Sequence, residues 1–179
     1  MIYIIGGPPR VGKTNLAQRI LEAKNIPYVS TDFLVHMLKN AAPDLKVTDK
    51  INFEEKADNF FPFLEQFIKY ASNGVKDYLI EGDAFLPNHI AKLSQKFKLK
   101  SCFLGFSEMN IETIKKHAGL NNWVNELSDE EQSKLPEWLI NLSEKYKSES
   151  LKFGFEYFDL SAGYEDQINK AFKYLVSEI

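Results

Sequence analysis

Cysteine occurs once in this 179-residue chain, at Cys102, so no intrachain disulfide can form and no zinc cluster can be assembled from thiolates. Arginine occurs only at Arg10 and Arg19; the other basic residues are lysines. No apolar run approaches the ~20 residues that cross a bilayer. Positive charge is not in excess: 22 basic against 25 acidic residues give a net charge of -3 and a pI near 5.7, against a dedicated nucleic-acid binder. The opening Met1-Ile2-Tyr3-Ile4-Ile5 lacks a basic stretch and breaks at Gly6, so it reads as no secretion signal, and a cytoplasmic protein is expected. Internal repeats and low-complexity tracts are absent.

What remains is the profile of one globular domain: 44% hydrophobic, 13% aromatic and 26% charged. A chain of this length buries roughly 70% of its unfolded surface, enough for a real core. Apolar runs and helical patterns alternate along it. Ile2 to Ile5, Pro27 to Ser30, Asp77 to Glu81, Leu99 to Phe106 and Phe153 to Leu160 read as short strands. Helical spacing fits Lys13 to Ala23, Phe33 to Asn40, Phe53 to Ser72, Asn88 to Phe97, a segment from Ser107 to about Gly119, Pro136 to Ser148, and Tyr164 to Ile179. Pro62 is expected to kink or restart its helix. Ser128-Asp129-Glu130-Glu131 is a capping-box pattern that starts a short helix of its own. Strands alternating with helices imply an α/β domain with a mostly parallel sheet, whose ligands sit at the carboxyl ends of the strands.

Gly7-Pro8-Pro9-Arg10-Val11-Gly12-Lys13-Thr14 matches G-x-x-x-x-G-K-[ST] directly after the first strand. A chance match in a chain of this length has a probability on the order of 1 in 100. Wrapping a β-phosphate requires glycine freedom at the turns of the loop. Pro8 and Pro9 have no N–H to give, so the backbone donors lie between Arg10 and Thr14. Val11 and the following Asn15 complete the expected nucleotide-binding set with Gly7 and Gly12. Lys13 is placed to bridge the β- and γ-phosphates and Thr14 to ligate Mg²⁺, with the helix dipole behind them. Two other carboxylate groups close predicted strands: Ser30-Thr31-Asp32 after the second, and Leu79-Ile80-Glu81-Gly82-Asp83 after the third. A buried apolar strand ending in a carboxylate is where an acid orienting Mg²⁺ or its waters belongs. Asp32 reads either as a helix cap or as a functional carboxylate.

With these motifs the chain resembles the P-loop small-molecule kinases, the group of adenylate, gluconate and adenylyl-sulfate kinases. The likeness covers the whole chain in outline, with the phosphate loop as its one specific motif. It implies a five-stranded parallel sheet in the order 2-3-1-4-5 with helices on both faces. It also implies an acceptor-binding helical segment at about 32–73 and a lid at about 111–148, all within a single domain over 1–179. Asp32 then touches the acceptor hydroxyl as general base, or holds Mg²⁺ through water. Glu81 is the expected Mg²⁺ partner, directly or through water, and Asp83 faces the acceptor. Backbone at Ser161-Ala162-Gly163, Ala162 in particular, passes around adenine.

Two departures stand out. Similar kinases carry glycine where Arg10 stands, so Arg10 either points outward or acts as a catalytic residue toward the phosphates or the acceptor. Lids of nucleotide kinases clamp phosphates with arginines, and this lid has none; Lys115, Lys116 and His117 are the nearest substitutes. The shortage of arginine favours an acceptor with an uncharged or cationic body. His36, His89 and His117 show no metal-ligand spacing. Cys102 reads as core; the stripe Phe60, Phe61, Phe63 and Phe67 reads as core or as a wall of an acceptor pocket, and Trp123 and Trp138 as packing in the lid or as indoles that stack on a ring ligand. The expected activity is ATP- and Mg²⁺-dependent phosphoryl transfer to a hydroxyl of a small molecule. It has no nucleic-acid or membrane partner, and the protein is a monomer or homodimer. The alternative is a nucleotide-binding switch or NTPase module without an acceptor.

Overall fold

The run Ile2-Tyr3-Ile4-Ile5-Gly6 forms β1 and is buried at every position, because it lies in the middle of the sheet with both faces covered. In the computed structural model, which describes residues 1–74, 76–116 and 123–177 (Lys116 and Trp123 by backbone alone), the other strands are β2 (Tyr28–Ser30), β3 (Tyr78–Gly82), β4 (Leu99–Gly105) and β5 (Glu156–Asp159). All pairings are parallel and the order is β2-β3-β1-β4-β5, the order that the resemblance implied.

Side chains alternate across the sheet as strand geometry demands. Ile2 and Ile4 join one core with α2 (Thr31–Ala41), α3 (Phe53–Gly74), α4 (Pro87–Ser94) and α6 (Asp129–Lys152). Tyr3 and Ile5 join the other with α1 (Lys13–Lys24) and α7 (Tyr164–Val176), and Cys102 is buried there, its thiol pushed up by burial. A third, small cluster of Ile114, Val124, Leu135 and Leu139 joins α5 (Ile111–Lys116) to the first half of α6, away from the sheet. Among the described residues no helix is long and apolar enough to cross a membrane.

Three local expectations are corrected. Pro62 does not restart the helix, one of its two expected effects: α3 runs through it, and Phe60, Leu64 and Ile68 stay fully buried across it. The proline lies on the solvent face, as does Asp58 four residues back, so water can take the place of the hydrogen bond that the Asp58 carbonyl loses. Pro136 likewise sits inside one continuous α6, not at the start of a second helix, although the Ser128–Glu131 capping box forms as expected. Ser107 does not cap α5; Asn110 does, accepting from the Thr113 N–H at 2.8 Å.

Strand register assembles the carboxyl edge. Ser30 pairs with Glu81, Gly6 with Gly82 and Phe103, and Gly105 with Asp159. β2, β3 and β1 end within one residue of a common line, while β4 and β5 run two residues further, to Gly105 and Asp159.

Candidate active site

The segment leaving β1 turns back on itself at Gly7 and enters α1 at Gly12, whose φ of 82 is a left-handed conformation natural to glycine. Neither position has room for a side chain. A Cβ on Gly7 would stand 2.2 Å from the Leu104 carbonyl oxygen, and one on Gly12 2.3 Å from the Tyr164 hydroxyl. Val11 anchors the loop in the core at 1% exposure. Lys13 is buried, and its Nζ donates to the Pro8 carbonyl at 2.7 Å, arching over the loop that it closes. Thr14 and Asn15 open α1 at the surface.

Across the sheet, Thr14 Oγ1 donates to Glu81 Oε1 at 3.0 Å, joining residues 67 positions apart. Glu81 is 1% exposed at the end of β3. The next residue, Gly82, must be glycine: Thr31 Oγ1 lies 1.7 Å from where its Cβ would be. This close approach lets the end of β2 and the start of α2 rest on β3. Ser30 caps α2, accepting from the Asp32 N–H at 3.3 Å. Asp32 is therefore not the cap, and its carboxylate is left for other work.

Asp32 is exposed at the start of α2, yet the protein around it withdraws enough water to raise its pKa above the ordinary carboxylate value; Asp83 and Glu81 add like charge, and Lys13 and Lys56 oppose the rise. These four neighbours draw together the predicted carboxylates and the loop lysine. They also reveal a residue that sequence reasoning missed. Lys56, on the first turn of α3, is only 8% exposed. Its Nζ pairs with Asp49 at 3.1 Å and lies 5.2 Å from the Phe53 ring centroid. Burial pushes Asp49 up, but the charges and hydrogen bonds of Lys56 and Lys39 leave its pKa lowered. The i, i+3 spacing of Phe53 and Lys56 was the available signal. Asp83 is held through its backbone: the fully buried Tyr146 hydroxyl of α6 donates between the carbonyls of Asp83 (3.0 Å) and Phe85 (2.8 Å).

On the far side of the loop, the turn after β5 is knotted to the turn after β4. Ser161 Oγ accepts from the N–H groups of Ser107 and Glu108 at 3.0 and 2.9 Å and donates to the Glu108 carbonyl. Asp159 accepts from the N–H groups of Ser107 and Ser161. Burial tends to raise the pKa of Asp159, but these bonds leave it lowered. Ala162 follows in the exposed turn Leu160–Ala162, and Tyr164, a second residue that the sequence did not flag, begins α7 against Gly12. Lys115 is exposed on α5. The side chains of Lys116 and Trp123, and all of His117, lie outside the described residues; Trp138 is exposed at 44%.

The donor set suits a magnesium nucleotide: a cradle with no space for side chains at its two glycines, a buried lysine, and a hydroxyl–carboxylate pair of the hard oxygen type that Mg²⁺ takes alongside phosphates. A shikimate kinase from Bacteroides thetaiotaomicron aligns over 98% of this chain and 96% of its own, at 14% identity and a TM-score of 0.62. One from Acinetobacter baumannii, solved in complex with shikimate, covers 98% and 93% at 13% identity and a TM-score of 0.59. A gluconokinase from Sinorhizobium meliloti 1021 covers 98% and 91% at 14% identity and a TM-score of 0.54. The fold is that of the P-loop small-molecule kinases. No family model matches the chain, and no curated protein is similar enough to match it. At these identities the likeness to the P-loop kinases is one of fold, and the chemistry rests on this chain's own residues.

Proposed function

We propose that the protein is an ATP- and Mg²⁺-dependent kinase that phosphorylates a hydroxyl of a small molecule. The carrying observation is the Thr14–Glu81 hydrogen bond beside a buried Lys13, with Glu81 and Lys13 near enough for their charges to act on Asp32. Bound at the loop, the magnesium nucleotide supplies an electrophilic γ-phosphoryl group whose charge the metal offsets. Lys13 would exchange its Pro8 carbonyl for phosphate oxygens. Thr14 would hold the metal, with Glu81 holding it directly or through water. Gly7, Val11, Gly12 and Asn15 complete the cradle, with the turn at Ala162 beside the base and Lys115 and Lys116 on the lid side.

Asp32 accepts the proton of the acceptor hydroxyl as its oxygen bonds to phosphorus and ADP leaves. A carboxyl with a raised pKa suits this task, because a base works best with a pKa nearer the operating pH. Asp83 accepts a hydrogen bond from the acceptor, whose segment is about 32–73; the lid at about 111–148 excludes water as a competing acceptor. One observation favours a second reading, a nucleotide-dependent switch: the lid has no arginine.

The test incubates γ-labelled ATP and Mg²⁺ with a small-metabolite extract and compares wild type, Lys13→Ala and Asp32→Asn. A labelled compound that forms only with both residues intact supports the kinase. Binding of ATP without any labelled product across an acceptor-rich panel would move the assignment to the switch.

A further inference from the structure

The phosphate loop contains one residue that its own geometry disfavours. Arg10 adopts φ 70, in the left-handed region where glycine is at ease and any residue with a Cβ is strained. Burial also strips water from its guanidinium and depresses its pKa from the ordinary value. Two penalties thus fall on one residue at the crest of the nucleotide cradle. Strain of this kind persists where function holds it in place. Pro8 and Pro9 stiffen the backbone that leads into it.

The surroundings narrow what the guanidinium can serve. Arg10 stands in the phosphate loop itself, three residues before Lys13. Arg19, the other arginine, is committed at the α1–α7 surface to Glu165 at 2.8 Å and Asn169 at 3.4 Å. The lid sequence supplies only lysines and histidine as cations. Phosphoryl transfer gains from a guanidinium because its planar fork donates to two phosphate oxygens at once, which an ammonium cannot do.

The geometry points to Arg10 as the residue that stabilises charge on the transferring phosphoryl group, delivered in cis by the phosphate loop instead of by the lid. The inference rests on the kinase reading above. Arg10 and Lys13 then flank the phosphates from the crest of the loop and from the first turn of α1.

The test compares wild type with Arg10→Gly and Arg10→Lys. It measures the urea unfolding midpoint without ligand, the affinity for Mg·ADP, and the affinity for Mg·ADP with aluminium fluoride, a mimic of the phosphoryl group in flight. Glycine suits φ 70, so Arg10→Gly is expected to unfold at or above the wild-type midpoint. Its ADP affinity is expected within about threefold of wild type, while the aluminium fluoride complex weakens at least ~100-fold. Arg10→Lys is expected to recover less than about tenfold of that loss.

An aluminium fluoride complex within about threefold of wild type in Arg10→Gly would overturn the inference. Equal losses for ADP and for the mimic, together with a lowered unfolding midpoint, would also overturn it, showing that the guanidinium braces the loop. Failure of the kinase reading looks different: Mg·ADP would still bind and Lys13→Ala would still weaken it, but wild type would form no labelled product from γ-labelled ATP across the acceptor-rich panel, and the Arg10 inference would fall with that reading.

Discussion

The glycine-rich loop after β1 and the segment proposed as the lid both follow carboxyl ends of strands, yet they are built in opposite ways. Several loop residues lie against parts of the chain distant in sequence: Gly12 against Tyr164, Gly7 against the Leu104 carbonyl, and Thr14 hydrogen-bonded to Glu81. The lid instead packs on itself through Ile114, Val124, Leu135 and Leu139. It is fastened to the body at its root by Asp159 and Ser161, and at its far end by Lys145 pairing with Glu54 and Tyr146 bonding the Asp83 turn. A region held by many long-range contacts opens only with the whole domain, whereas one with a separate small core can open alone. On the kinase reading, the proposed nucleotide site is thereby preorganised, and the segment proposed as the lid is expected to open at lower cost.

The largest expected effect breaks the loop. Gly12→Ala must carry a Cβ at φ 82 and within 2.3 Å of the Tyr164 hydroxyl. Stability is expected to fall by about 2 kcal/mol or more, and ATP affinity by at least ~100-fold, in urea melts and equilibrium titration. Retention of wild-type affinity would mean that the loop is not the nucleotide cradle.

Leu139→Ala applies the same logic to the lid. Leu139 is 1% exposed, and its truncation is expected to cost about 2–5 kcal/mol within the lid cluster. Amide exchange should then speed up in α5 and the first half of α6 while β1 and α1 stay protected, with ATP affinity within about threefold of wild type. Faster exchange throughout the sheet would show that the lid and the body unfold as one.

A smaller effect tests the face beneath the acceptor segment. His89 is 1% exposed; its Nδ1 accepts from the Leu86 N–H, and its Nε2 therefore donates to Asp58 at 2.9 Å. Burial lowers its pKa from 6.5, although the Asp58 hydrogen bond and charge oppose this. The folded state thus prefers neutral His89. Its contribution is complete above pH 6.5 and is lost as pH falls through the lower folded value. Urea midpoints should decline on that acid side for wild type and less steeply for His89→Gln. Parallel curves would remove His89 from the balance.

How much of this was legible in the sequence follows the reach of each interaction. The phosphate loop was readable because its residues are contiguous and its glycines mark backbone turns. The strands and their order were readable because buried runs alternate with amphipathic helices and the resemblance supplied the order. The Ser128–Glu131 box was local and formed. Lys56 was not readable as a buried cation, because its burial depends on Asp49 and on how α3 meets the cleft. The His89–Asp58 pair spans 31 positions and left no spacing to find. Pro62 and Pro136 were misjudged because local helix-breaking lost to core faces that continue past them. The strain at Arg10 appears only once φ is known.

The finest distinction concerns the carboxylates between the loop and the acceptor segment. Burial first, then the charges of Asp83 and Glu81, raise the pKa of Asp32, while Lys13 and Lys56 restrain it. Asp83→Asn removes a like charge, so the Asp32 titration followed by carbon-13 NMR should move to lower pH. Lys56→Met removes an opposing charge and should move it to higher pH. If Asp32 is the base, the acid limb of the transfer rate must shift in the same directions, because only the ionised carboxylate takes the proton. An NMR shift without a matching shift in rate would leave Asp32 as a binding residue and place the proton elsewhere. No shift in either variant would mean that the cleft separates these charges with water, and that the acceptor side is as open as the lid.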